Sequence, residues 1–482
     1  METLPRPRRA PVRPPAQASV RGASAVLATV SLATLVALMN YAAPMLTLPG
    51  MTASFGTGVS GQAWLLNGIA LGLAALLLVA GSLADDYGRK RVFVTGTVVL
   101  AVTVALGAVA PSTLTFTLAR VAQGGASAAI IASSLGLLAQ AFPAGPARIR
   151  AMGVWGAALS GGIAVGPVAA AGLGTLDWRV GYALYAAASL VLAAVAARTL
   201  TESRSPRPGR PDLFGAVVLG LALTALLAAL TVGRDGWLSP AVGELAAAAV
   251  VLLAAFVVVE RRSSAPMIDL GLFRRPAFLA ATSSALFTGL GVIGLFSYFP
   301  ALLQQTVGMS ALGTAWLLCL WSAVALLVAL QAKRLPERFS ARHQLALGFV
   351  LSALGALSML GAMSSGSWVR TLPGWLVAGV GSGLLNAAMP RAAVESVPSD
   401  RASMGSGANN TARYIGSSMG LSLTIVIATS AGSGHGGDPA RALAHGADHA
   451  LLAGVGLMLA GAVGALAFRE RRTARTRAAA AR

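Results

Sequence analysis

The chain has 482 residues, of which 56% are hydrophobic and only 11% are charged. Soluble domains carry about 25% charged residues, so too few charges remain here to coat a water-facing surface of this size. Composition therefore excludes an ordinary soluble domain and predicts an all-α polytopic membrane protein.

The net charge of +20 arises from 36 Lys and Arg against 16 Asp and Glu. Nucleic-acid binders also carry such an excess, because their basic patches contact phosphate. Here the basic residues are distributed over the predicted loops, so we expect no nucleic-acid partner. The single cysteine, Cys319, lies in an apolar run, which leaves no disulfide framework and no Cys-based metal site.

Residues 1–22 are rich in arginine and proline, and they predict a disordered basic tail. A membrane-spanning helix needs about 20 mostly apolar residues. Fourteen later stretches meet this requirement: 24–46, 62–83, 92–111, 113–140, 150–172, 178–198, 213–232, 240–260, 277–303, 311–332, 343–363, 372–394, 403–430 and 449–468.

The basic residues also predict the orientation of these spans. With the N-terminus in the cytoplasm, thirty of the 36 Lys and Arg fall on the cytoplasmic side, four fall outside, and two lie within spans. Basic residues concentrate in cytoplasmic loops. We therefore expect both termini in the cytoplasm, in the inner (plasma) membrane of a bacterium.

A charged turn, residues 81–91 (GSLADDYGRKR), separates the second and third spans. Gly81 permits two backbones to approach closely, and Gly88 permits a tight turn. Arg89 and its neighbours hold the turn in the cytoplasm. Asp85 is placed to interact with the positive N-terminal end of a neighbouring helix and so to act as a latch.

This turn resembles the signature loop of the major facilitator superfamily. Residues 118–126 resemble that superfamily's arginine motif in span four, and residues 162–167 resemble its antiporter motif in span five. The number of predicted spans, fourteen, resembles that of its drug:proton antiporter branch. The resemblance implies two six-helix bundles of inverted repeats around a central cavity, plus a central extra helix pair.

The implied organisation is a bundle at 23–200, a linker at 201–212, the extra pair at 213–262, a linker at 263–276, a bundle at 277–468 and a basic tail at 469–482. The resemblance further implies that Asp85 contacts the start of span thirteen, near 401–403. It also implies that Gly162, Gly166 and Pro167 bend span five.

Charged and polar residues inside spans are costly and usually functional. The resemblance makes Arg120 a proton-relay arginine, and the alternative is a structural arginine bound to carbonyls of span one. Arg413 lies near the predicted midplane, and Glu395 is spaced to pair with Arg391. Candidates to face the cavity are Asn40, Gln123 and Asn386.

Span one departs from the antiporter branch. That branch commonly carries an aspartate where this chain has Leu35, and none of the 16 acids is predicted in the middle of a span. Two deep arginines without a deep acid predict a positive cavity. We therefore expect a neutral or anionic small-molecule substrate, exported by alternating access in exchange for protons.

Other functions remain open at this point. One alternative is a proton-independent facilitator or uniporter. A membrane enzyme would need a catalytic constellation at membrane depth, and the spans show none. The predicted outer loop, 433–449, holds His435, His445 and His449, but its pattern does not favour a metal. We expect no cofactor, no metal and a monomeric protein.

Overall fold

The computed structural model describes residues 20–57, 59–173, 177–204, 213–233, 238–263, 266, 270–331, 340–430 and 439–467. Within those ranges the regular structure is entirely helical. Its α-helices are α1 Val20–Ala42, α2 Pro44–Phe55, α3 Val59–Tyr87, α4 Arg89–Ala108, α5 Thr113–Ala141, α6 Pro146–Leu173, α7 Trp178–Thr199, α8 Leu213–Val232, α9 Pro240–Arg262, α10 Pro276–Phe287, α11 Gly294–Val307, α12 Ala311–Gln331, α13 Ala341–Leu357, α14 Leu372–Glu395, α15 Ala402–Ser430 and α16 Pro439–Ala467.

Eleven helical segments in these ranges are long and apolar enough to cross a membrane. Two further apolar helices, Phe214–Leu230 and Ala341–Leu357, are shorter. Every stretch that the sequence analysis identified overlaps one of the helices above. The prediction of an all-α polytopic membrane protein is therefore confirmed.

Several helix ends differ from the predicted ones, because helix formation does not require an apolar sequence. The sequence placed His445 and His449 in an outer loop, whereas α16 begins at Pro439 and contains both. The alanine-rich start of α16 favours a helix, and proline suits its first turn. Asp448 also lies on α16, in the part that the sequence placed in the loop, and its Oδ1 accepts a hydrogen bond from the main-chain N–H of Gly361 at 2.9 Å.

Two spans are irregular. The first continues beyond α1 into α2, which ends at Gly56 in the left-handed conformation with φ of 62°. In the ninth, predicted at 277–303, a π-helical turn, Thr288–Ile293, joins α10 to α11. The predicted span 343–363 ends earlier than expected, because α13 stops at Leu357 and turns follow.

The hydrophobic core has two main parts. One is built mostly from α1–α7 and the other from α10–α16, and we call these the N-terminal and C-terminal parts. The two parts meet where α3 and α5 pack on α15, and where α6 packs on α12 and α14. The pair α8 and α9 lies beside this junction, since α8 contacts both α3 and α15.

The structure does not describe residues 1–19, 469–482, most of the linker at 201–212, 332–339 and 431–438, the last of which include His435. The last three residues of the predicted tail at 1–22 are instead the start of α1.

Candidate functional site

Asp85 lies at the junction of the two parts, at the end of α3, and it is fully buried. Its Oδ2 accepts a hydrogen bond from the main-chain N–H of Met404 at 2.9 Å, and its Oδ1 accepts one from Ser403 N–H at 3.4 Å. Arg89 donates from Nε to Asp85 Oδ1 at 2.9 Å. The carboxylate therefore holds the positive start of α15, at the last residue of the predicted 401–403 and the residue after it.

A second ion pair lies beside the first. Arg401 donates to Asp86 Oδ1 at 2.8 Å, and both side chains are largely buried. Arg89 also donates to the carbonyl of Asp400 at 3.1 Å. We call the set Asp85, Asp86, Arg89 and residues 400–404 the latch. It joins the N-terminal part to the C-terminal part through charge-assisted bonds.

Two glycines allow the latch to form. Gly81 packs directly on the main chain of Ser403 and leaves no room for a side chain. Gly88 has φ of 125°, a conformation that other residues rarely adopt, and it separates α3 from α4. The close backbone approach expected at Gly81 and the tight turn expected at Gly88 are thus both present in the structure.

Glu202, which follows α7, was missed by the sequence analysis. Its carboxylate accepts hydrogen bonds from the main-chain N–H groups of Lys90 at 3.1 Å and Arg91 at 3.2 Å. The adjacent Ser203 carbonyl accepts from Arg89 N–H at 2.8 Å. In the sequence, Glu202 is only an acid that follows an apolar run, and this position does not indicate that its partner is α4. Glu202 caps α4 and so positions Arg89, the first residue of that helix.

Replacing Glu202 with alanine is expected to destabilise the protein by about 1 kcal/mol, the usual cost of losing a helix cap. The thermal unfolding temperature of the purified protein in detergent measures this loss. Glu244→Ala is the matched control, because Glu244 is exposed on α9. Equal unfolding temperatures for the two variants would contradict the capping role.

Arg120 lies on α5, is fully buried, and binds α1. Its NH1 donates to the carbonyl of Asn40 at 2.9 Å, and its NH2 donates to the carbonyl of Tyr41 at 3.0 Å. Gln123 Oε1 accepts from Arg120 at 3.1 Å and also from Asn40 Nδ2 at 3.1 Å. Gln123 in turn donates to the carbonyl of Thr103 at 3.0 Å.

The structure thus brings three predicted site residues, Asn40, Arg120 and Gln123, into one network. Both terminal nitrogens of Arg120 are engaged by protein oxygens, two of them main-chain carbonyls of α1 and two of them side-chain oxygens of Asn40 and Gln123. This geometry matches the structural alternative for Arg120, an arginine that fastens α5 to α1.

Arg413 has a different environment. It lies on α15 beside a small cavity between the two parts, and it is 6% exposed. The cavity is lined by Leu135, Trp155, Gly156, Leu159, Asn386, Met389, Pro390, Asn409, Asn410 and Arg413. The sequence candidates Asn386 and Arg413 therefore meet in one place, and Asn386 Nδ2 donates to Ser160 Oγ at 2.9 Å.

Glu395 lies apart from both arginines, at the latch end of α14. It accepts from Arg391 Nε at 2.8 Å, as the spacing predicted, and its side chain is 52% exposed. A second small cavity there is lined by Gly145, Arg148, Ile149, Met152, Arg391, Val394 and Glu395.

The predicted antiporter motif lies on α6. Gly162 packs on the main chain of Leu35, and Gly166 packs on Met39, so these glycines bring α6 close to α1. Pro167 lies in the same helix, and its side chain is outside the described set. Among the described residues no cluster of three or more His, Cys, Asp or Glu is arranged to hold a metal ion.

Residues 30–421 match the family described as the Major Facilitator Superfamily. The chain belongs to this superfamily. Its buried Asp85 and the start of α15 occupy the places that the superfamily resemblance indicated. Superfamily members are transporters, so the protein is a transporter and not an enzyme.

Related superfamily proteins include drug and antibiotic exporters. The multidrug resistance protein Stp of Mycobacterium tuberculosis is 31% identical over 78% of this chain and 70% of its own length. The puromycin resistance protein pur8 of Streptomyces alboniger is 30% identical over 93% of this chain and 91% of its own length. A crystal structure of a human organic anion transporter covers 92% of this chain and 99% of its own, with a TM-score of 0.65 at 18% identity, and so shares the fold.

Proposed function

We propose that this major facilitator protein is a secondary active exporter of a small organic drug or antibiotic, which it exchanges for protons by alternating access. It has fourteen spans, arranged as two six-helix bundles and the extra pair α8–α9. It works as a monomer in the inner (plasma) membrane of a bacterium, with both termini cytoplasmic.

The observation that carries this proposal is the latch. Fully buried Asp85 joins the N-terminal part to the first main-chain N–H groups of α15 in the C-terminal part. Breaking and remaking these bonds gives two states of one junction, which alternating access requires. With the basic loops in the cytoplasm, the closed latch seals the cytoplasmic end.

The relatives support export of a drug or antibiotic, because their names describe resistance to several drugs or to puromycin. The cavity at Arg413 supports a neutral or anionic substrate. None of its lining residues is acidic, so it offers nothing to neutralise a cation. A lipophilic dication is the substrate that this cavity would disfavour.

Proton exchange requires a carboxylate that changes its protonation as the protein changes access. Asp85 is the foremost candidate, since it is buried and its charge holds the latch. Glu395 is exposed and paired, which suits a more peripheral role.

The test is efflux from a sensitive bacterial host. Cells that express the protein are exposed to a panel of antibiotics that includes puromycin, and growth identifies an exported compound. Uptake of that compound into inverted proteoliposomes is then measured with and without a pH gradient. We expect protection in cells and uptake that depends on the gradient.

Uptake that is equal with and without the gradient would instead establish the alternative, a proton-independent facilitator. Absence of protection across the whole panel would contradict the export function itself.

A further inference from the structure

The guanidinium of Arg413 is buried but has no partner of opposite charge among the described residues. It forms no hydrogen bond and no ion pair with any described residue, and its Nε is shielded from solvent without an acceptor. The aromatic ring of Tyr414 lies beside it, with its centroid 5.2 Å from Cζ. A cation in this state is incomplete, because burying a charge without compensation is costly.

Arg120 provides the internal comparison. Both arginines are among the buried charged residues, yet Arg120 is bound by the carbonyls of Asn40 and Tyr41. The Nε atoms of both arginines lack an acceptor. The two arginines differ at their terminal nitrogens, which protein oxygens engage in Arg120 and no described residue engages in Arg413. Of the two, only Arg413 keeps its terminal nitrogens for another molecule.

The surroundings of Arg413 fit an anion. Three amides, those of Asn386, Asn409 and Asn410, line the same cavity, and the lining contains no carboxylate. Asn410 Nδ2 donates one bond to the carbonyl of Ser406 at 3.0 Å, and Asn386 Nδ2 donates one to Ser160. Each amide nitrogen has two hydrogens, so each keeps a second one to donate.

The cavity is narrow in this structure, with enclosed room for about one water molecule. A group of the substrate can therefore reach Arg413 only when the two parts separate. A guanidinium fork matches a planar carboxylate with two parallel hydrogen bonds. The chemistry of Arg413 therefore suits one acidic group of a larger molecule.

We propose that Arg413, assisted by the amides of Asn386 and Asn410, binds a carboxylate of the exported molecule, and that the natural substrate is an organic acid. This inference rests on the proposed export function. The bound carboxylate neutralises a charge that lies between α6 on one side and α14 and α15 on the other. Closing the two parts around it then buries an ion pair with its hydrogen bonds and not a lone cation.

The test uses two probes with the same aromatic body, pyrene-1-butyrate, which carries a carboxylate, and its uncharged methyl ester. Binding to the purified protein at neutral pH is followed by quenching of tryptophan emission, because Trp155 lines the cavity. The wild-type protein is expected to bind the acid at least about tenfold more tightly than the ester, since a hydrogen bond between charged groups contributes about 1.5–3 kcal/mol.

Arg413→Gln is expected to lose that preference and to leave binding of the ester unchanged. Arg413→Lys keeps the charge but not the fork, so it should retain part of the preference. Arg261→Gln is the matched control, because it removes an exposed arginine at the end of α9. Its unfolding temperature and its binding should equal those of the wild type.

Equal binding of acid and ester to the wild type, or no binding of either, would overturn the proposal. So would an unchanged preference in Arg413→Gln. These readings are independent of transport. If the protein prefers the acid but protects no host, the carboxylate site stands and the export function is refuted. If the protein exports neutral compounds and does not prefer the acid, the export function stands and the carboxylate site is refuted.

Discussion

Asp85→Asn is expected to abolish protection of a sensitive host. Asparagine can still accept one main-chain N–H from α15, but it leaves Arg89 buried, 5% exposed, without its carboxylate. Removing one member of a buried ion pair costs about 3–5 kcal/mol. This loss falls on the state in which the latch is closed, so the variant should favour the state that is open at the latch end.

The opening can be measured directly by cysteine labelling. Cys319 is the only native cysteine, so Cys319→Ser supplies a cysteine-free background. Ser406→Cys then places a thiol at a fully buried position where α15 meets α5. We expect a water-soluble maleimide to label it at least about tenfold faster when Asp85→Asn is present, since 1.4 kcal/mol already changes an equilibrium tenfold.

Glu244→Gln is the control for this experiment, because it removes a carboxylate from an exposed position on α9. It should protect the host and label as slowly as the background. If Asp85→Asn also protects fully and labels slowly, the latch does not govern access.

Arg120→Gln is expected to lower stability by about 3–5 kcal/mol, because it leaves several buried oxygens of α1 and α5 without donors. The carbonyls of Asn40 and Tyr41 would lose their bonds to the guanidinium. Arg120→Lys should rescue little, since a single ammonium cannot reproduce the two-pronged contact. The measurement is the thermal unfolding temperature of the purified protein in detergent.

The same experiment separates a structural role from a proton relay. A relay arginine would leave the unfolding temperature unchanged and abolish only transport driven by the pH gradient. Arg370→Gln serves as the control, because Arg370 is exposed in a 3₁₀ turn before α14. A normal unfolding temperature for Arg120→Gln would refute the structural interpretation.

The helices could be located from the sequence because long apolar runs have few alternatives in a membrane. Their ends could not, as α16 shows, because alanine continues a helix whether or not the stretch is hydrophobic. The latch was foreseen for Asp85 through the motif it resembles. The pairing of Asp86 with Arg401 depends on residues more than 300 positions apart, which no local pattern encodes.

The two deep arginines show the same limit. In the sequence, Arg120 and Arg413 are alike, since each is a lone cation in an apolar run. Their difference comes from the neighbouring helix. Helix α1 offers carbonyls to Arg120, whereas the residues around Arg413 contribute amides and apolar side chains. Only the packing of α5 and α15 reveals which arginine has its terminal nitrogens bound.

The partners of Asp85 on α15 are main-chain N–H groups, and this has a consequence for how the transporter can vary. A substitution at Ser403 or Met404 keeps the N–H donor itself in place unless it introduces proline. Both side chains are buried, so other changes at these two positions act through packing. The charges that hold the junction belong to side chains, those of Asp85, Asp86, Arg89 and Arg401. Selection for altered efflux should therefore repeatedly find mutations at these four positions.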